Sequence, residues 1–278
     1  MMFLYILFTE NNHTYLNKGE ITMGILDVIK SLNKKESNNV NLNVSKIESK
    51  NKEQLDSEIE KRVDLVKKTI SLQKKPIPKR AKVALVLDYS VSMKTLYTNG
   101  TVQSIIERIL PLAIQFDDDG ELDLWLFEGS YKRIGSINLN NYSNYIENEK
   151  ILDKYNMGGT SYSPVMHDVI KKYTVEDPCN LPSYVLFITD GDNFDREDTD
   201  KVMKDSSKYP IFWQFLGIGK TEFKYLEKLD TMKGRKVDNA NFFSVNNINN
   251  ISDEKLYENI LSEYPTWCSD AQSLGIIK

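Results

Sequence analysis

The stretch that most constrains this chain is Val83-Ala84-Leu85-Val86-Leu87, an unbroken apolar run that stops on Asp88-Tyr89-Ser90-Val91-Ser92. Such a run reads as a central parallel strand covered on both faces. It ends on a carboxylate and two hydroxyls at alternate positions, at the sheet edge where open α/β folds carry ligand sites. Gly158-Gly159-Thr160 and Thr189-Asp190-Gly191 supply further strand-end or loop oxygens. Brought together, Asp88, Ser90, Ser92, Thr160 and Asp190 make a hard, all-oxygen donor set suited to Mg²⁺ or a similar cation.

From Val83 onward, strand patterns alternate with helical ones, which predicts an α/β fold: a doubly wound, Rossmann-like, mostly parallel sheet with helices on both faces. Strands are expected at 122–127, near 133–137, and at 185–188, 211–216 and 242–245. Helices are expected at 102–116, 142–151 and 222–229. Another should begin with Ser163 as N-cap and Pro164 at the first helical position, and Ser252 should cap a final helix.

The region before the sheet divides in two. Met1 to Phe8 is apolar but far shorter than the ~20 residues that cross a bilayer. It also lacks the basic start and cleavage site of a signal peptide. Lys18-Gly19-Glu20 reads as the in-frame translation of a purine-rich ribosome-binding sequence ahead of Met23, so residues 1–22 are expected to be a leader outside the natural protein. Residues 23–80 then form a helical extension and linker, with Leu55, Ile59, Val63, Val66 and Ile70 at helical spacing. That stripe is expected to dock on the main domain, residues 81–278, and Pro76 and Pro78 to end its helix.

Composition removes several function classes. The formal net charge of -4 implies no strong attraction to nucleic acid. Two cysteines, Cys179 and Cys268, make no secreted disulfide framework and suit a reducing cytoplasm. The only histidines, His13 and His167, leave little room for a zinc site or a Ser-His-Asp triad. Gly217-Ile218-Gly219-Lys220 lacks the spacing of a phosphate-binding loop. Asp192, Asp195, Asp198 and Asp200 miss the EF-hand pattern, because Phe194 falls where a ligand is needed; Asp192 is expected to orient the metal loop. Tyr89, Tyr97 and Tyr162 lie beside the candidate ligands and are weighed as a recognition rim against simple loop packing.

The DxSxS…T…D order of Asp88, Ser90, Ser92, Thr160 and Asp190 resembles the metal-ion-dependent adhesion site (MIDAS) of von Willebrand factor A (VWA) domains. Longer blocks sharpen the resemblance to the TerF-like bacterial VWA proteins of tellurium-resistance clusters. They include Phe116-Asp117-Asp118-Asp119-Gly120, Gly159 to Met166, Phe187 to Asn193, Pro210 to Phe215, Val237 to Ala240 and Tyr264 to Trp267. Val91 departs from the glycine that many such domains carry between the two serines, and would be strained if the backbone there needed a positive φ.

What the resemblance implies is a cytoplasmic, metal-dependent protein-interaction module rather than an enzyme, serving bacterial tellurite resistance or a wider chemical-stress response. The implied cation is Mg²⁺, with Mn²⁺ or Ca²⁺ as alternatives. The implied partner offers a carboxylate to the metal, TerD-like or membrane-associated TerC-like proteins being the family context, with no direct membrane insertion. Two rival readings stand beside it: a metal-dependent hydrolase or phosphotransfer enzyme, and a metal-free scaffold.

Overall fold

A computed structural model describes residues 52–117, 119–178 and 181–278. The leader at 1–22, the segment 23–51, His13 and Cys179 fall outside the described residues. The apolar runs become the middle of a six-stranded sheet, in the order β3-β2-β1-β4-β5-β6. The strands are β1 (Lys82–Asp88), β2 (Leu122–Phe127), β3 (Tyr131–Ile137), β4 (Ser183–Thr189), β5 (Ile211–Ile218) and β6 (Ala240–Val245). Only β3 is antiparallel to its neighbour, at the edge beyond β2.

Because side chains alternate along a strand, each central strand feeds two cores. Leu85 and Leu87 of β1 and Leu186 and Ile188 of β4 point to one face. That face is covered by α1 (residues 52–71, with Leu55 onward in the same compact unit as the sheet), α3 (Thr101–Phe116), α9 (Asp253–Ile260) and α10 (Tyr264–Ser273). Ala84, Val86, Val185, Phe187, Trp213 and Phe215 point to the other face. There α6 (Ser163–Lys171), α7 (Arg196–Ser206) and α8 (Lys224–Asp230) cover them. The expected doubly wound architecture is the one observed.

The predicted apolar stripe docks as expected. Ile59 and Val66 are buried in the first core, and Leu55, Val63 and Ile70 pack against it. A part-buried charge cluster fastens the same helix. Arg62 Nε donates to Asp253 Oδ2 at 2.9 Å, while Arg108 Nε of α3 donates to Asp253 Oδ1 at 2.6 Å. One carboxylate thus holds α1, α3 and the start of α9 together.

Several elements differ from the sequence reading. The helix expected at 142–151 is two single turns, α4 (Tyr145–Asn148) and α5 (Ile151–Lys154). Asn144 and Lys150, both at φ 51°, break the chain before each turn. Ser252 does cap α9, accepting from Lys255 N, but α10 follows it with Pro265 in its first turn. The acidic stretch after Asp190 contains α7, whose buried side chains are only Thr199, Val202, Met203 and Ser206. A short α2 (Lys94–Thr98) follows the Asp88 loop. Among the described residues, no helix is long and apolar enough to cross a membrane.

Candidate metal centre

The strand order reverses direction at β1 and β4, and the crevice beyond the carboxyl ends of those strands is where such sheets bind ligands. Asp88 is the last residue of β1 and Asp190 follows the last residue of β4. The parallel register, Leu87 beside Ile188, brings both carboxylates to this crevice.

Asp88 is fully buried. Its Oδ1 accepts from Ser90 N at 2.7 Å and its Oδ2 from the Thr189 hydroxyl at 2.6 Å. The chain of oxygens continues outward. Ser90 Oγ lies 3.0 Å from Ser92 Oγ, and Ser92 Oγ donates to Asp190 Oδ1 at 2.8 Å. A parallel bridge between Ser90 and Gly158 lays the 158–160 strip against this loop, with Val91 N donating to Gly158 O at 3.1 Å. Thr160 is buried on that strip. A Cβ added at Gly158 would sit 2.8 Å from Glu128 Oε2, so a side chain there would displace the end of Glu128. The sequence-predicted residues therefore converge: Asp88, Ser90, Ser92 and Asp190 through hydrogen bonds, and Thr160 through the strip paired with them.

Burial pushes the Asp88 carboxyl up to about 6, although the Ser90 and Thr189 hydrogen bonds pull it down; the Asp190 charge adds to the rise. Burial also raises Asp190, against the hydrogen bond from Ser92. No cationic side chain pairs with either carboxylate among the described residues. The set holds carboxylate and hydroxyl oxygens only, and among the described residues no three or more His, Cys, Asp or Glu side chains are arranged to hold a metal by themselves. Such a donor set fits a hard divalent cation, which would also neutralise two carboxylates held in one crevice.

Four expectations need correction. Val91 lies in a 3₁₀ turn (Val91–Met93), and Asn144 and Lys150 are the only described non-glycine residues at positive φ, so Val91 carries no such strain. Tyr89, Tyr97 and Tyr162 are no recognition rim, being at most 4% exposed. Each hydroxyl finds a backbone carbonyl: Tyr89 that of Ile151, Tyr97 that of Asp88 and Tyr162 that of Gly191. The exposed apolar residues by the site are instead Val91 and Phe194. Ser163 is not the N-cap of α6; Tyr162 holds that position, and no side chain of its own caps the helix. Asp192, expected to orient the metal loop, pairs with Arg196 instead.

The cap of α6 comes from Asp195, which the sequence shows only as one of several acidic residues in a row. Its two carboxylate oxygens accept from Tyr162 N at 2.9 Å and Ser163 N at 2.8 Å. Burial works to raise its pKa, but those bonds, with one from Asn193, hold it below the usual carboxylate range. Asp195 thereby ties the segment after Asp190 to the segment after Thr160. Thr189 is a further residue that sequence reasoning missed; its position beside Asp190 at a strand end was the available signal.

Comparison with known proteins identifies the family of the domain. A family model described as the vWA domain found in the TerF C terminus matches residues 80–277. The uncharacterized protein YcbR of Bacillus subtilis (strain 168) is 41% identical over 221 residues, covering 78% of this chain and 90% of YcbR. Among solved structures, BatB from Bacteroides thetaiotaomicron, a conserved hypothetical protein, is 17% identical at a TM-score of 0.46, covering 67% of this chain and 99% of BatB. Proximal thread matrix protein 1 from the mussel byssus, solved with a zinc-occupied MIDAS motif, is 16% identical at a TM-score of 0.46, covering 67% of this chain. The chain spans only 46% of the mussel protein's length. With the sheet order, the switch-point crevice and a family match across residues 80–277, the chain belongs to the TerF-like von Willebrand factor A family.

Proposed function

We propose that Asp88, Ser90, Ser92, Thr160 and Asp190 hold a divalent cation, Mg²⁺ by preference with Mn²⁺ or Ca²⁺ as alternatives, and that the chain is a metal-ion-dependent protein-interaction module. The observation that carries this reading is Asp88, a fully buried carboxylate that meets hydrogen-bond donors and a second carboxylate but, among the described residues, no cationic side chain. When bound, the cation would supply an electrophilic position at which a carboxylate of another protein replaces water. The chain's own residues do the positioning. Thr189 orients Asp88, Ser92 spans from Ser90 to Asp190, and Asp195 fixes the two flanking loops to each other.

The site's makeup favours the recognition reading over turnover. His167 is exposed on α6, and Cys268 is buried on the α10 side of the sheet, with burial pushing its thiol up to about 12. Neither is placed as a nucleophile or general base for the Asp88 crevice. Family membership supports a role in bacterial tellurite resistance or chemical-stress response in the cytoplasm, with a TerD-like or TerC-like protein as partner.

The test is capture of purified TerD-like and TerC-like proteins from the same genome on the immobilised chain. Capture in Mg²⁺ that is lost in EDTA and in Asp88→Ala is the expected result. Metal-dependent phosphate release from a generic phosphoester, abolished by the same substitution, would move the protein to the hydrolase class.

A further inference from the structure

The candidate ligands differ in exposure. Asp88, Ser90 and Thr160 are buried, whereas Ser92 and Gly159 are exposed, which places the way in to the oxygens beside Ser92 and Gly159. Two apolar side chains stand in solvent at that opening, Val91 at 62% exposed and Phe194 at 86%. Single exposed apolar side chains are ordinary on a protein surface. These two are braced on the same three residues. Val91 N donates to Gly158 O at 3.1 Å, and Phe194 N donates to Thr160 O at 3.0 Å. The Cα atoms of Gly158 and Thr160 lie at most about 7 Å apart, the reach of two residues of chain.

Both anchors are held from elsewhere as well. The turn that carries Val91 is fixed by buried Ser90 and buried Met93, with Met93 N donating to Ser90 O at 3.1 Å. Phe194 is followed at once by Asp195, which accepts from Tyr162 N and Ser163 N. The Phe194 ring edge comes within 3.4 Å of where a Gly159 Cβ would stand, so the ring lies by the glycine of the strip. Val91 falls between two candidate ligands, Ser90 and Ser92, and Phe194 bonds to the backbone of a third, Thr160. The apolar pair therefore flanks the oxygen set, one residue from the Asp88 loop and one from the far side of the strip. Residues on a backbone held this way lose little freedom when a partner covers them.

We propose that Val91 and Phe194 are the apolar contacts that select the partner of this site. That partner is an extended segment whose metal-directed glutamate is flanked, two residues away on each side, by large apolar side chains. An extended segment presents residues i−2, i and i+2 on one face, about 6.5 Å apart. With the central carboxylate on the metal, the outer pair meets Val91 and Phe194 on either side of the oxygen set. Glutamate suits the recessed Asp88, Ser90 and Thr160 oxygens better than aspartate, because its longer stem clears the rim. The proposal rests on the metal reading of Asp88 and its neighbours, and adds to it which acidic segments the site accepts.

The experiment titrates the ¹⁵N-labelled full chain, saturated with Mg²⁺, with three peptides and follows it by NMR. Ac-Leu-Thr-Glu-Thr-Leu-NH₂ carries the whole pattern, Ac-Ser-Thr-Glu-Thr-Ser-NH₂ lacks the apolar pair, and Ac-Leu-Thr-Gln-Thr-Leu-NH₂ lacks the carboxylate. The first should shift the Val91 and Phe194 N–H signals saturably. It should bind about tenfold or more tighter than the second, as suits covering two apolar side chains. The third peptide, and the first in EDTA, should give no saturable shift. Val91→Ser and Phe194→Ser, both at exposed side chains, should each cut the preference for the first peptide over the second about threefold. Equal binding of the first two peptides, no binding of any peptide to the Mg²⁺-loaded chain, or a preference untouched by both variants would overturn the proposal and leave the metal reading standing. A chain that takes up no Mg²⁺ in calorimetry would overturn both.

Discussion

Replacing Asp88 by asparagine should make the metal-free protein more stable while removing its capacity for metal. Burial lifts this carboxyl from 3.8 to about 6 in the fold. A carboxyl raised in the folded state costs nothing below its unfolded value, and the cost grows with pH until it is complete above the folded one. At pH 7.5 that cost is about 3 kcal/mol. The substituted amide escapes it and keeps most contacts, since its oxygen can accept from Ser90 N. Its NH₂ group can donate to Thr189 Oγ1, whose hydrogen can turn toward Gly191 O, 3.4 Å away. Allowing for imperfect rearrangement, Asp88→Asn should gain about 2 kcal/mol in urea denaturation at pH 7.5 in EDTA. The gain should fade as pH drops from 6 toward 4. Saturating Mg²⁺ should then stabilise the wild type alone, by about 2.7 kcal/mol at a hundredfold excess over Kd. A variant no more stable than wild type at pH 7.5 in EDTA would show that the Asp88 charge is already compensated, and the argument from its burial would be lost.

Other perturbations probe the scaffold. Asp195→Ala leaves Tyr162 N and Ser163 N without acceptors and should cost about 1–2 kcal/mol, as loss of a helix cap does; thermal melting at fixed pH measures it. Asp253→Ala leaves the buried Arg108 charge with only the Ile248 and Ile251 carbonyls and frees Arg62, so a loss of about 2–3 kcal/mol is expected in urea titration, with faster proteolysis of the segment around Arg62. Asp230, half-buried and near Glu263 and Asp238, is raised to about 7 by burial first and those charges second. Asp230→Asn should therefore raise stability at pH 8 by about 1 kcal/mol after discounting for solvent screening, and leave it unchanged near pH 4.

The sheet was legible because its strands are apolar on both sides. Val83–Leu87 and Val185–Ile188 leave no other place for such runs than the middle of a layered fold. The candidate ligands were legible for a related reason: polar residues that follow a buried strand without a gap lie at the sheet's carboxyl edge. Helix α7 was not, because a surface helix with four small or medium buried side chains among charges has almost no apolar period. Nor could sequence tell that Tyr89, Tyr97 and Tyr162 face inward. A tyrosine is buried when a carbonyl meets its hydroxyl, and here those carbonyls come from up to 62 residues away in the chain. Asp195 escaped for the same reason, since capping α6 from 32 residues downstream is a tertiary event.

The most direct measurement is calorimetric titration of the full chain with Mg²⁺, Mn²⁺ and Ca²⁺, beside Asp88→Ala and Thr160→Ala. One saturable site in the wild type, lost in Asp88→Ala and weakened in Thr160→Ala, is the predicted result. A wild type that binds none of the three cations, or a variant that binds as well as the wild type, would contradict the assignment of these oxygens to a metal.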